Sequence, residues 1–297
     1  MNRNKLFTES LLPCFQEVPF KWKYTKWNEK NSFVSIGSCF AQEMTLLLAG
    51  AGLTIKENPT GILYNPFSIA ETLERLAEKH FYTEEDFFFH NGLWHSYSHH
   101  GSFSGEDKKA VLEKANREME DFRILLEKAD GIFITLSSAV VYEIRETGKI
   151  AANCHKMPPD TFERRLLSYR ECEIYCNRIK ENIRKCNEKG IIVFTLSPVR
   201  HYPGDPLLNS AGKARLRSVL EDICSHENIV YFPAYEIVND SLRDYRFYKE
   251  DLVHISPLAA EIVLDTFLEN SFVPSVREKG RLWRKQCARE NHIPRKG

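Results

Sequence analysis

Residues 33–41 read FVSIGSCFA, and this stretch decides the fold. Phe33 to Gly37 form a short apolar and β-branched run that is typical of a buried strand. From Cys39 to Ala49 the apolar residues recur at helical spacing, so a strand passes almost directly into a helix. The turn carries Ser38 and Cys39, two candidate nucleophiles. It is either a structural turn or the start of an active site.

The remaining chain continues this alternation of apolar strands and helices. Strands are predicted at Gly131–Leu136, Ile191–Leu196 and Ile229–Phe232. Helices are predicted at Phe67–His80, at Ala110–Lys128, at Asp160–Lys189 with room for one break, at Asn209–His226, and from Ser256-Pro257 onward. Such alternation is typical of an α/β fold in which helices cover both faces of a mostly parallel sheet.

Two segments do not follow the alternation. Residues 81–104 are rich in aromatic residues and histidine, and we predict that they form an insertion with a hairpin over the site. Residues 271–297 form a basic tail, for which a solvated terminal helix is a better prediction than a surface for nucleic acid or an acidic partner. Residues 1–270 are therefore expected to form a single domain.

Composition limits the class of protein. The chain has 297 residues, of which 42% are hydrophobic, so it can bury a large core. Lys+Arg and Asp+Glu both total 41, so no net charge attracts it to nucleic acid or to a membrane surface. Apolar runs are too short for a signal-peptide core or a membrane span, and the cysteines form no CxxC pair. We expect a cytoplasmic protein without a nucleic-acid or membrane partner, and its oligomeric state stays open.

The carboxyl ends of the predicted strands are the expected place for a ligand in such a sheet. Three of these ends carry small polar residues: Ser38-Cys39, Ser137-Ser138 and Ser197. Cys39 also begins a helix, so we expect the helix dipole to favour its thiolate and its N–H to stabilise an oxyanion. Ser38 is the alternative nucleophile, because a one-residue shift in the turn would exchange the exposure of the two side chains.

A nucleophile needs a base, and the base needs a group that orients it. Asp251 and His254 lie three residues apart, just before the last predicted helix. This spacing lets a tight turn bring the carboxylate to one ring nitrogen while the other nitrogen faces the site. We expect folding to bring His254 and Cys39 to one end of the sheet, within reach of each other.

Several longer motifs follow one another in a specific order, namely GSCFA, NPTGILYNPFSI, NCHK, SPVRH and YFPAYEIVNDSLRDYRFYKEDLVHISPLAAEIV. From about Phe33 to Leu268 the chain resembles the GSCFA family, a relative of the SGNH/GDSL hydrolases. The resemblance implies a flavodoxin-like, three-layer α/β/α fold and chemistry at an ester or related acyl bond.

The resemblance also implies roles for single residues. The Gly-Asp-Ser motif of the SGNH relatives falls on Gly37-Ser38-Cys39, which places the nucleophile at Cys39. Their closing Asp-x-x-His falls on Asp251 and His254. The leading hypothesis is a hydrolase, either an esterase or deacylase or an acyltransferase, that acts on a small-molecule or carbohydrate acyl ester. The alternative is a non-catalytic module that keeps the fold and binds a small molecule or glycan.

The part of the predicted site that would bind an oxyanion differs from that of the SGNH relatives, which have an asparagine after the third strand. This chain has Ser137 and Ser138 there, and Asn153 in the ANCHK loop is a substitute that carries the required amide. We expect Asn153 or the Ser137-Ser138 loop to line the same pocket as Cys39. The candidate substrate-binding residues are His155, Arg200 and His201.

A metal site is the alternative interpretation of His95, His99 and His100. No carboxylate or cysteine stands at ligand spacing from them, and the segment lacks a helical pattern. We therefore predict neither a metal nor a cofactor.

Overall fold

The computed structural model describes residues 17–200 and 205–291. In chain order its strands are β1 (Ser32–Gly37), β2 (Thr54–Glu57), β3 (Phe88–His90), β4 (Leu93–His95), β5 (Gly131–Leu136), β6 (Val140–Ile144), β7 (Ile150–Ala151), β8 (Phe162–Leu166), β9 (Ile191–Leu196) and β10 (Ile229–Phe232). Its longer helices are α1 (Cys39–Gly50), α2 (Pro66–Glu78), α3 (Lys108–Leu126), α4 (Tyr169–Cys186), α5 (Pro206–Ile223), α6 (Pro257–Ser271) and α7 (Pro274–Asn291).

The central sheet has five parallel strands in the order β10-β9-β5-β1-β2. The chain adds β2 on one side of β1 and then returns to add β5 on the other side. This is the flavodoxin-like strand order, and its direction reverses at β1. The predicted parallel α/β sheet is confirmed, and the carboxyl end of β1 is the position where such sheets bind ligands.

Helices cover both faces of this sheet. Neighbouring side chains on β1 point to opposite faces, so Phe33 and Val34 belong to different cores. Val34 packs in the core that α2, α3, α4 and α5 cover. Phe33 packs in the core that α1, α6 and the start of α7 cover. The expected three-layer α/β/α arrangement is therefore confirmed.

The helix predicted over Asp160–Lys189 is wrong in its first part. Phe162–Leu166 form β8, which pairs with β6 in a separate antiparallel sheet whose order is β7-β6-β8. The helix begins only at Tyr169, where Ser168 and Glu171 form a capping box. The partner strand lies about twenty residues earlier in the chain, so the local sequence around residue 162 contains no sign of the pairing.

The aromatic segment at residues 81–104 contains the predicted hairpin. Strands β3 and β4 pair antiparallel within it. Its rings pack against one another, as the centroid distance of 4.3 Å between Phe88 and Tyr97 shows. The segment is therefore held by its own aromatic contacts and by the adjoining core, to which Phe103 belongs.

Within the basic tail, Pro274–Asn291 form α7, which packs on α1 and α6. The Trp283 ring lies against Gly50, where a side chain would collide with it. Ion pairs hold the helix as well, and they join Arg284 to Asp265 at 2.7 Å and Lys279 to Glu29 at 3.1 Å. Among the helices of residues 17–200 and 205–291, none is both long and apolar enough to cross a membrane.

Gly37 sets the point at which β1 leaves the sheet. It has a φ of +154°, and a Cβ atom there would lie 2.3 Å from the carbonyl oxygen of Thr135 on β5. Only glycine permits this approach of two backbones. The chain can then turn into α1 immediately after the strand.

Asn58 and Leu63 hold the same turn through hydrogen bonds. Asn58 Oδ1 accepts a hydrogen bond from the Gly37 N–H at 2.8 Å, and the Asn58 N–H donates to Ser35 O at 2.9 Å. Asn58 is buried and has a φ of +41°, a conformation that asparagine tolerates better than most residues. Leu63 N–H completes the clamp by donating to Gly37 O at 2.9 Å.

We expect Asn58→Ala to lower the free energy of unfolding by about 1–3 kcal/mol, because the buried Gly37 N–H loses its acceptor. Asn58→Gly loses the same hydrogen bond without the strain of a positive φ, so it should lie between Ala and wild type. Urea denaturation measures all three proteins. Equal stability of the Ala variant and wild type would show that the side-chain bond contributes nothing.

Candidate active site

A cavity of about 720 Å³ opens where α1 meets the edge strand β2 at the carboxyl end of the sheet. Cys39 and His254 both line it. Its other lining residues come from α1, from β2, from α3 and from two loops, and they are Phe40, Gln42, Glu43, Thr45, Leu46, Ala49, Ile55, Lys56, Glu57, Glu118, Val199, Lys249 and Ile255. Folding thus brings the predicted nucleophile and the predicted base to one cavity.

Ser38 and Cys39 differ sharply in exposure. Ser38 is fully buried, lies outside the described cavity lining, and its Oγ has no hydrogen-bond partner among the described residues. It occupies the N-cap position of α1 without capping the helix through its side chain. Cys39 is half-buried and lines the cavity. The geometry therefore favours Cys39 over Ser38 as the group that meets a ligand.

The start of α1 acts in the direction that favours a Cys39 thiolate, but burial outweighs it in the resting protein. Burial raises the pKa of the Cys39 thiol, and the Glu43 carboxylate raises it further. The backbone N–H groups of Phe40 and Cys39 and the Lys249 ammonium lower it, but burial is the larger influence. The thiol needs a base before it can act as a nucleophile.

Asp251 holds the His254 ring in one orientation. Asp251 Oδ2 lies 2.8 Å from His254 Nδ1, and Oδ1 accepts hydrogen bonds from the backbone N–H groups of Val253 and His254 at 2.9 Å. These bonds, the one from the His254 N–H foremost, lower the pKa of Asp251 to about 2. A neutral ring that donates from Nδ1 has an unprotonated Nε2, which can accept a proton.

The loop that carries His254 is tied to its neighbours through backbone hydrogen bonds. Lys249 N–H donates to His254 O at 2.8 Å, and Arg200 N–H donates to Val253 O at 3.0 Å. Ser256 Oγ accepts from the Ala259 N–H and so caps α6, as its sequence predicted. His254 is therefore fixed between the end of β9 and the start of α6.

Sequence reasoning missed the charged cavity residues Glu43, Lys56, Glu57, Glu118 and Lys249. Two of them, Glu43 and Lys249, act on the pKa of Cys39. Glu43 lies four residues after Cys39 on α1, so both side chains stand on one face of the helix. Burial raises the pKa of Glu43, while the charges of Lys249 and His254 lower it. The i, i+4 spacing from the nucleophile was the signal that could have identified Glu43.

Ser137 and Ser138 lie at the end of β5, outside the described lining of the cavity. Their backbone N–H groups both donate to Tyr64 O at 2.9 Å, so neither is available to a substrate oxygen. Ser138 Oγ accepts from the Val140 N–H, whereas the buried Ser137 Oγ has no partner in the described chain. The hydroxyl hydrogens of Ser137 and Ser138 therefore stay available as candidate donors, because Ser138 Oγ is engaged only as an acceptor.

Asn153 and His155 are held against the aromatic segment at residues 81–104. Asn153 Oδ1 accepts from the His155 N–H at 2.9 Å, and His155 Nε2 lies 2.8 Å from Ser96 O. The His155 ring centroid is 4.6 Å from that of His95. Neither Asn153 nor His155 is among the described residues at the Cys39 cavity, so the structure does not bring them to the nucleophile.

Arg200 is exposed beside the His254 loop, and its guanidinium lies 5.1 Å from the centre of the Tyr248 ring. Its neighbour Val199 reaches the cavity, whereas Arg200 is outside the described lining. The other predicted anion-binding residue, His201, lies outside the described residues.

The histidines considered for a metal are engaged elsewhere. His95 contacts Ser104 Oγ through Nδ1 at 2.7 Å, and His100 contacts Ser102 Oγ at 3.1 Å. Burial lowers the pKa of His99 to about 3, so its ring is neutral among aromatic neighbours. Within residues 17–200 and 205–291, no group of three or more His, Cys, Asp or Glu side chains is arranged to hold a metal ion.

The opposite effects of Glu43 and Lys249 on the pKa of Cys39 can be tested with two substitutions. Glu43→Gln removes a negative charge that raises the thiol pKa, so we expect faster alkylation of Cys39 by iodoacetamide at pH 7. Lys249→Gln removes a positive charge that lowers it, so alkylation should slow. Mass spectrometry of the Cys39 peptide gives each rate, and Glu250→Gln serves as a surface control. Changes of the same sign in both variants would contradict this arrangement of charges.

Comparison with known proteins agrees with the motifs. One similar solved structure, from Streptococcus pneumonia and provisionally described as a platelet activating factor, has 13% sequence identity and a TM-score of 0.41 over 81% of this chain and 83% of that chain. No curated protein sequence gives a significant match. A sequence model of the GSCFA family matches residues 32–267. Because that match spans well over half of the chain, the protein belongs to the GSCFA family.

Proposed function

We propose that this protein cleaves or transfers the acyl group of an ester, with Cys39 as nucleophile, His254 as general base and Asp251 as the group that orients His254. One observation carries the proposal: the Cys39 thiol and the Asp251-paired His254 ring line the same cavity. A nucleophile, a base and a group that orients the base are the parts that nucleophilic acyl transfer commonly uses.

Proton transfer comes first, because burial raises the pKa of the Cys39 thiol. His254 Nε2 accepts the thiol proton, and the sulfur attacks the carbonyl carbon of the ester. The backbone N–H groups of Cys39 and Phe40, at the positive end of the α1 dipole, stabilise the charge on the carbonyl oxygen. His254 then gives the proton to the departing alkoxide, and the acyl group stays on Cys39 as a thioester.

Water or an acceptor hydroxyl completes the cycle. Its oxygen attacks the thioester while His254 takes its proton, and the Cys39 sulfur leaves and recovers that proton from His254. Attack by water releases a carboxylic acid, which makes the protein a hydrolase. Attack by a hydroxyl forms a new ester, which makes it an acyltransferase.

The substrate that we propose is a small-molecule or carbohydrate acyl ester. A volume of about 720 Å³ is within the range of small-molecule sites. Apolar residues such as Ile55 and Val199 alternate there with charged ones such as Glu43 and Lys249. Such a lining suits an ester that has an apolar acyl part and a hydroxyl-bearing part.

One observation favours a non-catalytic binding module instead. Asn153 and the Ser137-Ser138 loop, which were to supply the oxyanion donors, lie outside the described cavity lining. A protein that binds an ester without cleaving it would not need such donors. The activity of the variants below separates the two functions.

We expect Cys39→Ala and His254→Ala each to lower kcat/KM by about 10²-fold or more, since each removes a group that the acyl transfer requires. The substrate is taken from a screen of nitrophenyl esters and acetylated sugars. Cys154→Ala and His226→Ala are matched controls outside the cavity and should keep the wild-type rate. Full activity of Cys39→Ala, with a fluorophosphonate adduct on Ser38, would make Ser38 the nucleophile. Saturable binding without turnover by wild type would support the binding module.

Asp251→Asn should lower kcat/KM by a clear factor throughout pH 7 to pH 9, because the His254 ring loses the group that orients it. Hydrogen bonds hold the pKa of Asp251 at about 2, below its unfolded value. In the folded protein the Asp251 side chain therefore stays ionised over the whole measured range, and it is protonated only as the pH falls through about 2. The pH profiles of both proteins give the factor, and Asp244→Asn is the matched control. Equal kcat/KM of Asp251→Asn and wild type over pH 7 to pH 9 would contradict the assignment.

A further inference from the structure

Helix α5 places a lysine on its buried face. Lys213 shares this face with Leu216, Leu220 and Ile223, which follow at helical spacing, and only 3% of its surface is exposed. A lysine is almost never buried to this extent without a partner. The surroundings of its ammonium group therefore indicate its role.

Neutral groups surround most of the Lys213 side chain. Its Nζ donates a hydrogen bond to the backbone oxygen of Ser197 at 2.5 Å, and it lies 5.7 Å from the centre of the Tyr235 ring. A carbonyl and an aromatic ring stabilise an ammonium group without cancelling its charge. A charge on Cys39, as the thiolate, raises the pKa of Lys213.

Strand register places Ser197 and Cys39 at the same edge of the sheet. Gly37, Thr135 and Thr195 are aligned across β1, β5 and β9. Two residues beyond this row the chain reaches Cys39 at the start of α1, Ser137 just after β5 and Ser197 just after β9. Lys213 is hydrogen-bonded to the last of these positions, so its ammonium lies at the same end of the sheet as Cys39.

We propose that Lys213 is a positioning residue whose ammonium is the counter-charge of the Cys39 thiolate. The inference rests on the proposed role of Cys39 as nucleophile. Lys213 lies outside the described lining of the cavity, so it acts on the sulfur rather than on the substrate. Transfer of the thiol proton, to His254 in catalysis or to water in a titration, leaves a buried anion that a protonated Lys213 offsets.

Burial disfavours either charge on its own. It raises the pKa of the Cys39 thiol, and it lowers the pKa of Lys213 to about 7 although a Cys39 thiolate acts in the opposite direction. Attraction exists only when both groups are ionised, so they titrate as a coupled pair. The other ionisable groups near the pair are Glu43, Tyr64, Tyr235, Lys249 and the cavity base His254.

Site-resolved alkylation of the full chain tests the proposal without any substrate. Iodoacetamide reacts with wild type, Lys213→Met and Lys213→Arg between pH 6 and pH 10, and mass spectrometry gives the rate at Cys39. The Cys154 thiol in the same samples is the internal control. Methionine keeps the length of the side chain without its charge, whereas arginine keeps the charge.

Lys213→Met should move the Cys39 profile to higher pH, and the rate at pH 7 should fall about tenfold for each pH unit of this shift. Lys213→Arg should restore part of the rate, which a loss of packing alone would not explain. An unchanged Cys39 profile in a folded Lys213→Met protein would overturn the proposal.

A reciprocal measurement covers the case in which Lys213→Met does not fold. Coupling between two sites is mutual, so removal of the thiol must alter the titration of the amine. The NMR signal of Lys213 Cε should titrate at lower pH in Cys39→Ala than in wild type. Identical titration in both proteins would refute the coupling.

The outcome for the hydrolase proposal is separate. If Lys213 and Cys39 are coupled but no acyl ester is cleaved, the counter-charge stands and the proposed function fails. If Cys39→Ala abolishes ester cleavage while the alkylation profile ignores Lys213, the function stands and the counter-charge fails.

Discussion

The contact between Gly37 and the carbonyl of Thr135 is the constraint on which the site depends. It brings β1 so close to β5 that the chain must leave the sheet at once, and α1 begins two residues later at Cys39. Asn58 and Leu63 hold that exit from the other side through hydrogen bonds to Gly37. The strand order reverses at β1, so the turn presents Cys39 at the place where such a sheet leaves a crevice.

The burial of the turn between β1 and α1 affects the ionisation of Cys39. A turn that buries Ser38 completely also desolvates the neighbouring thiol, which opposes its ionisation. The proposed base lies instead on a half-exposed loop, where the Asp251 and His254 side chains are 47% and 43% exposed. Water can therefore exchange protons with His254 while the sulfur stays shielded. The proposed nucleophile and base are thus far apart in the sequence and also differ in their exposure to water.

The parts of the structure that could be predicted from sequence are those that local spacing determines. Residues 33–41 carry both a strand pattern and a helix pattern, and the DLVH motif at 251–254 forms its carboxylate–imidazole contact within a single turn. Asn153 was misplaced because the path of a long loop depends on distant partners, here the backbone of the aromatic segment. The helical spacing of Glu43 and Lys213 shows which face of its helix each residue occupies. It does not show which groups pack against that face, and these decide what each charge does.

The docking of α7 determines how much chain makes up the folded unit. The family match ends at residue 267, within α6, yet Trp283 packs flat against Gly50 at the far end of the helix that begins with Cys39. A recombinant fragment cut at that family boundary would expose the apolar side of α1 and α6 to solvent. Such a fragment would be prone to self-association through this patch, so expression boundaries should include α7.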